Sequence, residues 1–295
     1  MVNCGVCYVK LDDFDEMASH FLQLSDKSDP SHIKFLNQYI SSKKLEVNQL
    51  RNTLEQFFNH KADGLHLWIK KVFVQKFYSN DPHPFVLALQ HPSNSTLIGY
   101  TIEHQHFLRQ WVRSCGAVIS KTDKMDVTLY ELENINTEFG GFGTELPSHF
   151  ELLIRMGESL GISRKLIFET QPLQDTARAI KFWQEIAQNR DWIETMTAMH
   201  SLELIAYRNI KNYGASISYF DPGILDQSEI SDDTKQFLRE GYEADITHAD
   251  EALELIEKYA NNPEIIQRVQ ATFLQSIEWF DRYLLARLDR GKEFE

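Results

Sequence analysis

FLREGYEADITHADEALEL, from Phe237 to Leu255, is the stretch from which the rest of the chain is best read. Asp245 and His248 stand three residues apart, which places them on one face of a helix. Upstream, Ser231 with Asp232 and Asp233 is an N-terminal signal, so the helix is expected to run from there to about Ala260. Pro263 opens a last helix to about Leu288, because proline suits a first turn. Working back, helical periodicity predicts Asp191–Tyr213, stopping before Gly214, and Asp175–Gln188. Leu146–Leu160 is expected to end at Gly161 as a left-handed cap. Asn94–Ser120 carries Leu97, Ile98, Phe107, Leu108, Trp111 and Val112 as its apolar stripe. Leu45–Tyr78 is also helical, with Gly64 as an interruption. Phe139–Pro147 and Ser218–Ser231 read as loops, neither long nor polar enough to link domains. With no internal repeat, about eight to ten helices joined by short connections predict a single all-α domain over residues 1–295.

The composition excludes several classes. Thirteen glycines and eight prolines in 295 residues are too few for a turn-rich β protein. A net charge of −13 repels phosphate backbones, so nucleic acid is not an expected partner. No apolar run approaches the roughly 20 residues that span a bilayer. The N-terminus lacks the basic start and long apolar stretch of a secretion signal. Three cysteines cannot build a disulfide framework, and a cytoplasmic setting is the expectation.

Several short motifs read as incidental. Cys4-Gly5-Val6-Cys7 is a CxxC, but a redox motif follows a strand and opens a helix, and a zinc site needs two further ligands of similar spacing. With Cys115 the only other cysteine, the pair is read as incidental. Gly140-Gly141-Phe142-Gly143 lacks the preceding strand and the Lys-Ser/Thr of a phosphate loop. In Glu103-His104-Gln105-His106 the two imidazoles point about 200° apart on a helix, so one is expected inside and one outside.

Acidic residues in apolar surroundings are more informative. Glu203 lies among Leu202, Leu204, Ile205 and Ala206, and an unpaired buried carboxylate is expensive, so it faces out or has a partner inside. Glu138 ends a helix beside the glycine loop, and His149 begins the next helix. Asp245 and His248 have the carboxylate-x-x-histidine spacing that dimetal bundles project inward. Tyr207, four residues after Glu203, is expected on its face, either as a core residue or as a catalytic neighbour.

Together these segments resemble the heme-oxygenase-like helical fold, and within it the CADD-like group, relatives of the PQQ-synthesis oxidase and of the TenA proteins. The resemblance is concentrated in residues 95–260. It implies a compact helical bundle in which Glu138, His149, Glu203, Asp245 and His248 are metal ligands. It also implies iron as cofactor, O2 as co-substrate, a small organic substrate and a homodimer. One position departs from the pattern: where the group carries another histidine, this chain has Gly241. Five of six ligand positions are therefore filled, and one metal, two or none are all compatible with that set. The alternatives are a non-redox ligand- or partner-binding relative and a cofactorless oxidase that uses His and Arg groups in the same cavity. A TenA-like hydrolase would need a nucleophilic cysteine, and Cys115 has no base beside it in sequence.

Overall fold

The computed structural model describes residues 1–140 and 147–295, with residues 242–248 as backbone only. The chain opens with a two-stranded antiparallel hairpin, β1 (Val2–Asn3) and β2 (Lys10–Leu11), with Val2 opposite Leu11. Asp13 then caps α1 (Phe14–Asp26) by accepting from the backbone of Asp15 and Glu16. Asp29 does the same for α2 (Pro30–Phe35), satisfying the His32 amide. Next come α3 (Val47–Phe57) and α4 (Leu65–Phe77). Gly64 between them has φ +85°, a left-handed conformation that explains the interruption seen in the sequence.

After the short α5 (Pro84–Ala88) comes α6 (Asn94–Lys121), a helix of 28 residues. It is followed by α7 (Met125–Ile135), which continues into a π-helical turn at Asn136–Gly140. Phe139 and Gly140 are thus helical rather than looped, and residues 141–146 lie outside the described residues. The remaining helices are α8 (His149–Ser159), α9 (Arg164–Glu169), α10 (Gln174–Asn189), α11 (Trp192–His200), α12 (Asp232–Tyr259) and α13 (Pro263–Lys292). Ser231 and Asn262 cap the last two, accepting from Thr234 N and Ile265 N. The fold is an all-α bundle. Among the described residues, no helix is long and apolar enough to cross a membrane.

The axis of the bundle is the α6–α13 pair, around which α4, α5, α7, α8, α10 and α11 are arranged. The two helices touch through backbone. A Cβ added at Gly99 would collide with the Arg287 carbonyl and the Gly291 amide, and one at Gly291 would lie 2.7 Å from the Ser95 carbonyl oxygen. This close crossing sets where the side chains of both helices converge.

One expected helix is not continuous. Asp191–Tyr213 is α-helical only to His200, after which Ser201–Ile205 and Ile210–Tyr213 are 3-10 turns. The bonding shifts to the third residue back, as in Ala206 N to Glu203 O at 3.0 Å. In that tighter coil residues three apart eclipse, and His200 accordingly bonds Glu203 (Nδ1 to Oε1, 2.8 Å). Tyr207 therefore does not share the helical face that a continuous α-helix would have given it with Glu203.

Candidate active site

The bundle holds a small cavity of about 80 Å3. Its walls come from α6, the end of α7, α8, the 3-10 turn after α11, α12 and α13. Three of the five expected ligands reach it: Glu138, His149 and Glu203 all line the cavity, and so does Gly241. Asp245 and His248 fall on the segment whose side chains lie outside the described residues.

Ser148 caps α8 and so sets His149 at its first turn. The imidazole stacks on Phe237, with ring centroids 4.8 Å apart, and its Nδ1 lies 3.2 Å from Glu138 Oε1. Burial works against a charge on His149, but the neighbouring Glu138 and, farther off, Glu240 raise its pKa above the usual value. Glu203 is held from behind. His200 donates Nδ1 to Glu203 Oε1 and lies 3.0 Å, through Nε2, from Glu131 Oε1. Burial opposes the imidazolium here too, yet the two carboxylates push its pKa up to about 10. Glu138 Oε2, His149 Nε2 and Glu203 Oε2 are buried and have no hydrogen-bond partner among the described residues. Buried polar atoms are normally satisfied, so three orphans on the wall of one cavity require explanation.

Opposite these groups is a site that sequence reasoning missed. Arg287 is fully buried, with no carboxylate partner among the described residues. Its guanidinium donates to Tyr219 Oη (3.1 Å) and Tyr283 Oη (2.6 Å), and lies 2.8 Å from His104 Nδ1. Its Nε has no partner. The charge also lies over the Tyr100 and Tyr283 rings, at 4.2 and 4.5 Å from their centroids. Burial and this cation drive the His104 pKa well below its usual value, so His104 is neutral. The signal was present: Phe280, Tyr283, Leu284 and Arg287 continue one stripe at three- and four-residue steps, so an arginine occupies an inward register. His104 is the inward histidine of its motif, and His106 packs against the Thr170 carbonyl at 3.0 Å.

Tyr207 is placed elsewhere. It is not among the residues lining the cavity, and its hydroxyl donates to Asp250 Oδ2 at 2.7 Å beside Lys70. Cys115 lies with Glu131 and His200, but burial and Glu131 raise its thiol well above the usual value. It does not line the cavity either, which leaves a thiol-based hydrolase without its nucleophile there. The structure also gathers Cys4, Cys7, His20 and His32, with their ligand atoms all within 4.8 Å of one another. The two further donors beside Cys4 and Cys7 are thus histidines, and Cys-x2-Cys-x12-His is the spacing that relates them in the sequence.

Comparison with solved structures agrees on the class, a heme oxygenase-like helical fold. A heme oxygenase-like domain of unknown function from Shewanella denitrificans has TM-score 0.54 and 15% identity, covering 85% of this chain and 94% of its own. A TenA homologue from P. horikoshii gives 0.55 and 13%, covering 82% and 97%. A CADD-like protein of unknown function from Nostoc punctiforme gives 0.52 and 15%, covering 94% and 98%. The TENA/THI-4/PQQC family model matches residues 68–290, and the chain belongs to that family. A model of a single C2H2-type zinc finger matches residues 1–59. A search of curated proteins finds no significant match.

Proposed function

We propose that this chain is an iron-dependent oxidoreductase using O2 on a small organic anion, with Glu138, His149, Glu203, Asp245 and His248 as metal ligands. The observation that carries the reading is the trio of buried, partnerless donor atoms on one cavity wall. Carboxylate and imidazole donors suit iron or manganese, and a cation would offset the cost of burying the carboxylates. When bound, iron supplies the redox and O2 chemistry that side chains lack.

The remaining work falls to the chain itself. Glu138 orients the His149 ring, and His200 holds Glu203 through one of its two oxygens. Arg287, with Tyr219 and Tyr283, offers a dry cationic seat for an anionic group of the substrate. Phe107, Trp111 and Phe280 exclude water around it. The test is anaerobic loading with Fe(II), followed by iron analysis and Mössbauer spectroscopy. Specific uptake that falls in Glu203→Gln and His149→Ala supports the reading; folded protein that takes up no iron overturns it.

Gly241 favours a second reading, a relative that binds its ligand without a metal. A Cβ at this position would stand 3.6 Å from His149 Nε2, an ordinary contact, so the backbone there tolerates a Cβ. If only this ligand was lost, Gly241→His creates or tightens iron binding. Full activity of metal-stripped protein on an identified substrate would instead favour a cofactorless oxidase built on Arg287 and His104.

A further inference from the structure

We propose that His104, locked as its Nε2–H tautomer, is a specificity-determining donor that works with Arg287 to select carboxylic acids bearing an uncharged acceptor oxygen next to the carboxylate. This selectivity rests on the anionic substrate of the proposed function, and it requires no metal.

His104 of α6 and Arg287 of α13 line the same cavity. Arg287 Nη2 lies 2.8 Å from His104 Nδ1 and 2.6 Å from Tyr283 Oη. A guanidinium has N–H donors and no acceptor, so the ring nitrogen facing it must offer its lone pair. A proton on Nδ1 would instead set N–H against N–H. Tyr283 Oη, 2.8 Å from the same nitrogen, can donate to it as well. With Nδ1 held as an acceptor, the neutral imidazole carries its proton on Nε2. The ring is also held in place, stacked on Phe107 with centroids 5.5 Å apart and packed against Tyr100 at 5.1 Å. A half-turn of it would present Cδ2–H to the guanidinium and forfeit both polar contacts.

The lock leaves one donor over. Among the described residues none forms a hydrogen bond with His104 Nε2, and Arg287 Nε is likewise buried with no partner. Two residues of one cavity thus each keep an N–H without an acceptor, and buried donors are normally satisfied. The two differ in charge. The guanidinium suits a carboxylate, since hydrogen bonds between ionised groups are about twice as strong as neutral ones. The His104 N–H adds no charge and suits a carbonyl, hydroxyl or ether oxygen. His104 touches the guanidinium on one side, and on the other its ring centroid lies 6.4 Å from that of His149. An oxygen held by His104 therefore sits between the anchoring arginine and the proposed ligands. A site built to bond such an oxygen rejects the analogue that lacks it, because the buried donor is then left unpaired.

The experiment is titration of full-length protein, as purified, with pyruvate and with methacrylate, a planar analogue that has a methylene in place of the keto oxygen. Pyruvate should bind about two- to tenfold more tightly, the worth of one neutral hydrogen bond. His104→Gln carries an amide N–H to about the reach of Nε2 and should keep this preference. His104→Asn stops at the Nδ1 position and should lose it. Equal binding of the two acids by the parent, or a preference that survives in His104→Asn, overturns the proposal. Binding of neither acid overturns it together with the anionic substrate of the earlier reading, whereas failure to load iron leaves this selectivity intact. Should a variant not fold, 15N-histidine spectra of the parent decide. The histidine signal that moves with pyruvate but not with methacrylate must then show a bare Nδ1 and a protonated Nε2; a protonated Nδ1, or no such signal, is the refuting result.

Discussion

At the scale of single residues, Arg287 shows how much a cavity can depend on one side chain. Its three polar contacts are to neutral groups, two phenols and an imidazole, so among the described residues no carboxylate pairs with its positive charge. A hydrogen bond to a charged group is worth about 1.5–3 kcal/mol, or about ten- to hundredfold in affinity. Arg287→Met should therefore weaken a bound monocarboxylate by that factor while leaving the matching primary amide unaffected. Calorimetry with benzoate and benzamide, or an aliphatic pair, reads the difference; equal losses for acid and amide would remove the anion-binding role. The carboxylates of the cavity were legible because Glu138 and Glu203 stand out against apolar neighbours. Arg287 was not, because an arginine at a helix position three-quarters along an amphipathic stripe reads as a snorkelling surface residue. Only the partners across the cavity reveal the inward direction.

At the scale of elements, α6 and α13 were legible almost end to end from periodicity and caps, whereas their contact was not. Gly99 looks like any glycine in a helix, yet its missing side chain is what lets two backbones meet. Gly116 lies in the same helix with nothing within 4 Å of an added Cβ. The two make a matched pair. Gly99→Ala should destabilise the fold by about 1–3 kcal/mol or more, since backbone cannot step aside as a side chain can. Gly116→Ala should stabilise it by about 0.5–1 kcal/mol through helix propensity. Urea unfolding measures both, and similar effects of the same sign would mean that the crossing is looser than described. The break after His200 was illegible for a related reason. Propensity favours continuing the helix through Leu202 to Ala206, and the buried array of Glu131, His200 and Glu203 overrides it.

At the scale of the whole molecule, buried histidines tie stability to pH. His106 is pushed down to about 4, chiefly by burial and also by Arg109 and Arg290, against the help of the Thr170 carbonyl; His83 is likewise lowered to about 4. Both would titrate near 6.5 in the unfolded chain. Between these values the unfolded chain binds protons that the folded chain refuses, so the contribution of these two histidines is full above about pH 6.5 and falls as the pH drops towards 4, whereas that of His200, raised to about 10, is full below about pH 6.5 and is lost as the pH rises towards 10. Comparing the parent with His106→Gln at pH 7 and pH 5 isolates one share of this slope. The parent should lose more stability than the variant over that interval, and parallel losses would show that His106 protonates freely in the fold. The N-terminal quarter is where the sequence was least legible. Its two strands span only two residues each, and its order rests on long-range contacts to α11 and α13 rather than on local periodicity.

The backing of the cavity carboxylates has a consequence for denticity. Glu203 has one oxygen committed to His200, and Glu138 has one committed to His149. Each carboxylate therefore presents a single free oxygen, and neither can chelate a cation through both without giving up the bond that positions it. An ion seated there would meet one oxygen from each and the His149 Nε2, and the remainder of its coordination shell would come from other side chains, from solvent or from the bound anion itself.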